Sequence, residues 1–185
     1  CARLNRPAEF SGFDVIAVVD IDLGAGVEAG FATSQPVGVL AGGQTVYASL
    51  DRLYVATTKW LPAQTSNQDQ ITVWSEDYET ELHSFAIPAG APVEYVASGS
   101  VEGSLLSSFS LDEHNGFLRV LTTDGTPWDQ SNVSETMLTV FQEQGDLLVP
   151  VGEVGGLGRG EALYSARLIG DRGFAVTFRQ VDPFY

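Results

Sequence analysis

The chain has 185 residues, of which 44% are hydrophobic and 18% charged, and this composition suits one domain with a buried core. Nine basic residues stand against 24 acidic residues, which gives a net charge of −15 with histidine neutral. Such a charge repels phosphate backbones and anionic lipid surfaces, so it argues against nucleic-acid binding and against docking on membranes.

The first feature along the chain is Cys1, the only cysteine, which has no partner for a disulfide within this sequence. Three interpretations stay open. The thiol pairs with a cysteine outside this sequence, which we favour, or it belongs to the lipidated first residue of a lipoprotein, or it is incidental. No apolar run reaches the roughly 18 residues of a transmembrane helix, so we expect no transmembrane segment.

Strand patterns then follow one another along the chain. Residues 14–23 alternate apolar side chains on one face with Asp20 and Asp22 on the other. Turn pairs such as Asn115-Gly116 separate the segments. Short strands at short intervals predict an all-β sandwich, barrel or propeller. Further segments rich in β-branched and aromatic residues are 53–58, 71–74 and 137–141.

Internal repetition distinguishes among these three architectures. Similar segments surround Thr57, Thr122 and Thr177, and the last two align over a long stretch at a constant offset, with Gly103 matching Gly158. The pattern predicts four strands in each complete repeat, and repeats of about 50 residues with four strands are typical of propeller blades. The predicted strands are 46–49, 53–58, 81–87 and 93–98 in the first repeat, 105–111, 117–123, 137–142 and 147–151 in the second, and two in the third.

We therefore predict one propeller-like domain over residues 1–185 with about three four-stranded antiparallel blades. A single blade cannot bury both of its faces, so blades stack radially. About three blades are too few to close a ring of four to eight. The expected partner is accordingly either a missing part of the propeller or another copy of the chain.

Three segments, residues 53–60, 109–123 and 163–183, carry a family resemblance that covers the chain from about Phe13 onwards. They resemble a prokaryotic family of secreted proteins with a β-propeller domain distantly related to WD40 repeats. The resemblance implies a propeller fold and a secreted or surface-anchored protein, and a lipid at Cys1 would be one such anchor. It implies no catalytic residues. The Trp-Asp pair of WD40 blades occurs only once, at Trp128-Asp129, so the repeats depart from that pattern.

The densest polar cluster is Asp112-Glu113-His114-Asn115, just before Gly116. These residue types suit a cation site or a general acid and base in a propeller loop. The alternative, which we favour, is a tight turn between two strands, because Asn-Gly is preferred there for backbone reasons.

The remaining site candidates are weaker. Asp20 and Asp22 could converge on Ca²⁺ from one strand face, although we favour an exposed strand face without a ligand. Trp60, Trp74 and Trp128 could form a carbohydrate platform, although tryptophans more often pack between blades. The glycine-rich segment 152–160 lacks a following helix for anion binding, so we predict a loop between blades. We expect no confident metal site and no cofactor other than Ca²⁺.

The sequence thus favours an extracellular or cell-surface propeller module that binds or scaffolds a protein or carbohydrate ligand. Two alternatives stay open. One is a hydrolase or lyase with an active site at the channel mouth, completed by blades outside this sequence. The other is a surface protein stabilised by Ca²⁺.

Overall fold

The computed structural model describes residues 3–26, 28–29, 35–60, 78–125 and 133–179. Within these ranges the chain forms thirteen strands joined by turns, and the prediction of an all-β chain is confirmed. The strands are β1 (Leu4–Asn5), β2 (Val15–Val18), β3 (Val37–Leu40), β4 (Thr45–Ala48), β5 (Arg52–Trp60), β6 (Tyr78–Ala86), β7 (Glu94–Glu102), β8 (Leu111–His114), β9 (Phe117–Asp124), β10 (Glu135–Gln144), β11 (Leu147–Leu157), β12 (Ala162–Ile169) and β13 (Arg172–Phe178).

The strands assemble into three sheets, ordered β1-β3-β2, β4-β5-β6-β7-β11-β10-β9-β8 and β12-β13. In the largest sheet, β4 to β7 and β8 to β11 are each neighbours in chain order, which are the two four-stranded repeats predicted from the sequence. They adjoin where Leu147 of β11 pairs in parallel with Ser98 of β7.

Three predicted boundaries were wrong. The strand over residues 14–23 ends at Val18, and a 3-10 turn forms at Leu23–Ala25. There the Asp22 carboxylate accepts a hydrogen bond from the Gly24 N–H (2.8 Å), a local bond that favours a turn over a strand at Asp22. The strand predicted at 105–111 begins only at Leu111, after a 3-10 turn over Ser108–Ser110. The loop predicted at 152–160 is strand β11 as far as Leu157, since glycine is tolerated where the strand is exposed. The strand predicted at 71–74 lies outside the described residues.

The three repeated threonines occupy the same structural element, as predicted. Thr57, Thr122 and Thr177 lie on β5, β9 and β13, each the second strand of an antiparallel hairpin. A glycine lies beside each of these strands, in ordinary contact at Thr57 and in closer contact at the other two. A Cβ added at Gly42 would lie 3.4 Å from Thr57 Cγ2, and one at Gly103 would lie 2.7 Å from the Thr123 carbonyl oxygen. A Cβ at Gly158 would collide with the Thr177 side chain.

The chain divides into two compact units, and the first comprises Cys1–Thr57, Glu81–Gly99 and Glu143–Val149. Its core forms where one face of the β2–β3 pair meets the β4–β5 hairpin. Registers of Ile16 with Val39 and of Val18 with Val37 place these four side chains on that face. They pack with Leu53 and Val55 of β5 in one apolar cluster that also contains Phe85.

The second unit comprises Thr58–Thr80, Ser100–Gln142 and Pro150–Tyr185. Leu121 of β9 and Leu138 of β10 are directly opposite one another and share a face. The β12–β13 hairpin covers this face with three buried side chains of β12, Leu163, Ala166 and Leu168. The second and third repeats therefore pack sheet face on sheet face, the arrangement that stacked blades require, whereas the first and second repeats share one sheet.

Candidate functional site

The polar cluster found in the sequence is a tight hairpin turn. Asp112, Glu113 and His114 lie on β8, and Asn115-Gly116 form a two-residue loop before β9. Both loop residues have positive φ, 54° and 79°, the geometry of the turn for which Asn-Gly is the preferred sequence. The turn interpretation is thereby confirmed, while ligand binding by these four residues stays a prediction.

Two side chains of this hairpin reach the turn of the next one. Arg119 lies opposite Asp112 and pairs with its carboxylate, with the Nε–Oδ2 distance 3.0 Å. Its Nη1 also donates to the Gly170 carbonyl oxygen at 2.7 Å. His114 Nε2 lies 3.0 Å from a carboxylate oxygen of Asp171. These contacts fix the β8–β9 hairpin against the β12–β13 turn.

The weak metal candidates are not brought together with other ligands. Asp20 and Asp22 are exposed and follow the end of β2, so they do not share a strand face as predicted. Among the residues that the structure describes, no group of three or more histidine, cysteine, aspartate and glutamate side chains could hold a metal ion. Cys1 lies outside that part of the chain.

The tryptophan platform stays a prediction. Trp60 ends β5, and its side chain lies outside the described part of the structure. Trp74 and Trp128 also lie outside it.

A partly buried ion pair in the first unit was not found from the sequence. Arg52 donates from Nε to Glu143 Oε1 and from Nη2 to Oε2, each at 3.0 Å, and the Ser84 hydroxyl donates to Oε1 at 2.6 Å. Burial alone would raise the pKa of Glu143, but the hydrogen bonds from Arg52 and Ser84 outweigh it and lower the pKa. The paired residues are 91 positions apart, so no local pattern reveals them.

His83 also lies in the interior of the first unit. Its ring is fully buried, with Nδ1 3.1 Å from the hydroxyl of Tyr95. Burial raises the pKa of Tyr95. A hydrogen bond with Ser98 lowers this pKa by a smaller amount, and the negative charges of Asp146 and Glu81 raise it further. Both rings therefore belong to the packed interior.

The second unit has an exposed apolar surface on the β12–β13 hairpin. Phe174 pairs with Arg167, and Val176 pairs with Ser165. These registers place the bulky side chains of β13 on the side away from Leu121. We call this surface, formed by Ile169, Phe174, Val176 and Phe178, the open hairpin face. Phe174 and Val176 are 54% and 52% exposed, and the ring of Tyr164, 66% exposed, lies edge-on to Phe178 at 5.1 Å.

Sequence reasoning overlooked this face, although a signal was present. In β13 the bulky residues stand at every second position, and the small residues Gly173, Ala175 and Thr177 stand between them. This alternation predicts a strand with its bulk on one face. What the pattern does not reveal is that the bulky face is the uncovered one.

The surroundings of the open hairpin face are basic within an acidic chain. Residues 159–179 contain only two acidic side chains, Glu161 and Asp171, against four arginines, whereas the whole chain has a net charge of −15. The arginines are Arg159, Arg167, Arg172 and Arg179.

A family model described as "Beta propeller domain" matches residues 1–185. An uncharacterized protein of Archaeoglobus fulgidus is 46% identical over 93 residues, which are 50% of this chain and 13% of that protein. An uncharacterized protein of Methanocaldococcus jannaschii is 41% identical over 88 residues, 48% of this chain and 14% of that protein. The matched region is thus a small part of much longer relatives.

No solved structure matches the chain. Among the described residues, no helix has both the length and the apolar composition needed to span a bilayer.

Proposed function

Because the chain belongs to the beta propeller domain family, we propose that it is an extracellular or cell-surface module that binds and scaffolds a partner protein through the open hairpin face. Propellers support many functions, so the fold alone does not select one. The proposal therefore depends on a particular surface of this chain.

The observation that carries the proposal is the exposure of four bulky side chains on one strand pair. Ile169, Phe174, Val176 and Phe178 are each about half exposed, and Tyr164 adds a fifth apolar surface beside them. Contiguous exposed apolar surface rimmed by polar groups marks interaction sites in folded proteins. Aromatic residues and arginine are enriched in protein interfaces, and both occur here.

The extracellular location is supported by the resemblance of the three repeats to secreted propeller proteins. An accessibility test on intact cells addresses it directly. Protease added outside cells that express the native gene should cleave the protein, while a cytoplasmic control protein survives. Cleavage only after lysis would contradict the location.

The binding proposal is tested with the single variants Phe174→Glu and Val176→Glu, and Leu50→Glu is the matched control. Leu50 is 93% exposed and belongs to the first unit, so its variant carries the same charge change elsewhere. A partner captured by the wild-type chain would be identified, purified and titrated against all four proteins. Because a charge must be desolvated in the apolar contact, each open-face variant should weaken binding by about 30-fold or more. Equal affinity for the wild-type chain and both variants would contradict the proposal.

A further inference from the structure

The two packed cores follow one rule. In the second unit, the β12–β13 hairpin uses one face to cover Leu121 of the preceding repeat, and its opposite face is open. In the first unit, Leu53 and Val55 of the β4–β5 hairpin cover the β2–β3 pair. The offsets between the repeated threonines place Val55 and Ala175 at equivalent positions. Both lie on the covering face of their hairpins, which is the face that packs against the preceding sheet. In both cores, a sheet thus receives the covering face of a hairpin that follows it in the chain.

The same rule identifies a second exposed face, on the β1-β3-β2 sheet. Ile16 and Val18 of β2 point into the core, so Val15 and Ala17 point outward. Leu4 of β1 joins them, because the position of a Cβ at Gly38 lies 3.0 Å from Leu4 Cδ1 and 3.7 Å from Val15 Cγ1. We call this surface, formed by Leu4, Val15 and Ala17, the N-terminal face. Leu4 and Val15 are 52% and 57% exposed.

The two faces are complementary in the sense of the packing rule. The N-terminal face lies on the covering side of its sheet, since the other side receives Leu53 and Val55. The open hairpin face lies on the receiving side, which is the side of a sheet that a following hairpin covers. It is equivalent to the face that contains Leu121, which the β12–β13 hairpin covers. Within the described part of the chain, covering and receiving faces pack together in two places, and one face of each kind is exposed.

The charges around the two faces are also complementary. Residues 3–22, which include β1 and β2, contain four acidic residues against two arginines, Arg3 and Arg6, whereas residues 159–179 contain four arginines against two acidic residues. Opposite charges near an apolar contact favour one orientation of docking over others. The acidic residues are Glu9, Asp14, Asp20 and Asp22.

We propose that the open hairpin face binds the N-terminal face of a second copy of this chain, head to tail. The inference rests on the proposed function, because it names the occupant of the surface proposed there for binding. The contact is heterologous, so successive copies add in one direction and form either a closed ring or an open series. A second copy thereby supplies the packing that the repeats provide within one chain.

The test is sedimentation velocity of the full 185-residue chain across about 1–300 μM at about 0.15 M salt, where charge repulsion between copies is screened beyond about 8 Å. The wild-type chain should form dimers and larger species as concentration rises. Val15→Glu and Val176→Glu should each remain monomeric alone, since each lacks one of the two faces. The control Leu50→Glu should associate like the wild type.

Mixing the two face variants separates head-to-tail packing from other dimers. Val176→Glu retains its N-terminal face and Val15→Glu retains its open hairpin face, so an equimolar mixture should form a 1:1 dimer and nothing larger. Circular dichroism of each variant alone should match the wild type, because both positions are exposed. A wild-type chain that is monomeric throughout overturns the inference, and so does a Val15→Glu variant that still dimerises alone.

The two proposals fail in different ways. If the chain is monomeric and Val176→Glu nevertheless weakens the binding of another purified protein, the second copy is excluded as the occupant while the binding function stands. If neither self-association nor any purified partner responds to Val176→Glu, both proposals are overturned.

Discussion

Leu121 in the second repeat and Val176 in the third occupy equivalent positions on equivalent strands, yet their exposures are 2% and 52%. Leu121 lies beneath Leu163, Ala166 and Leu168 of the following hairpin. Among the described residues, no strand covers Val176 in the same way. The comparison teaches that burial in this fold is decided by the next repeat as much as by the residue itself. One sequence position can therefore be core in one repeat and exposed surface in another.

The largest effect is expected at Leu121, the buried position of this comparison. Leu121→Ala removes buried apolar surface beneath β12, so the free energy of unfolding should fall by about 2–4 kcal/mol. Val176→Ala removes partly exposed surface and should change it by no more than about 0.5 kcal/mol. Chemical denaturation of both variants at the same chain concentration measures the difference. Equal losses for the two variants would contradict the comparison.

The next largest effect is expected at the contacts of Arg119 and His114 with the β12–β13 turn, which we call the joint between the second and third repeats. Arg119→Ala removes the ion pair with Asp112 and the bond to the Gly170 carbonyl, and it leaves a partly buried carboxylate without its guanidinium. We expect a loss of about 1–3 kcal/mol in unfolding free energy. Arg172→Ala, at an exposed position of β13, is the control and should change little. A similar loss in both variants would show that the joint contributes nothing specific.

The Arg52–Glu143 ion pair of the first unit provides a reference, because it includes neither Leu121 nor Val176. Glu143→Gln weakens the contacts with Arg52 and Ser84 and should reduce stability by about 1–2 kcal/mol at neutral pH. Because the pKa of Glu143 is lowered in the folded state, its contribution is complete above the ordinary value of 4.5 and is lost as pH falls through the lower folded value.

Denaturation at several pH values checks this sign. The gap between wild type and Glu143→Gln should be constant from neutral pH to about pH 5 and should close under more acidic conditions. Glu94→Gln, at an exposed position of β7, is the matched control and should show almost no gap. A gap that widens on acidification would contradict the assigned role of Glu143.

The smallest effect is expected at the exposed end of the joint. Asp171 accepts the contact from His114 Nε2, but its side chain is 94% exposed. Asp171→Ala should therefore change the unfolding free energy by no more than about 0.5 kcal/mol, as surface pairs usually do. A loss as large as that of Arg119→Ala would place the joint at His114 instead.

Much of the fold could be predicted from the sequence because its turns have a local chemical cause. Asn115-Gly116 requires a tight hairpin, and the threonine-centred segments mark the second strand of each hairpin. The end of β2 at Val18 was missed because the alternating pattern continues to Leu23. That pattern does not report the turn beyond the strand, where Gly24 donates a local bond to Asp22.

The candidate surface could be predicted only in part. The spacing of Phe174, Val176 and Phe178 indicates a strand with one bulky face, but bulky faces are usually buried. Whether this one is exposed depends on packing between segments distant in sequence. The Arg52–Glu143 pair was missed for the same reason, because its partners come from different repeats.

Thiol labelling at positions 121 and 176 tests the central claim most directly. The variants Leu121→Cys and Val176→Cys, each made in a Cys1→Ala background, would be labelled in dilute solution, with the denatured chains as references. The account predicts that the thiol at position 176 reacts within about tenfold of its denatured rate, while the thiol at position 121 is slowed by about 100-fold or more. Equal rates at the two positions, or protection at 176 alone, would contradict it.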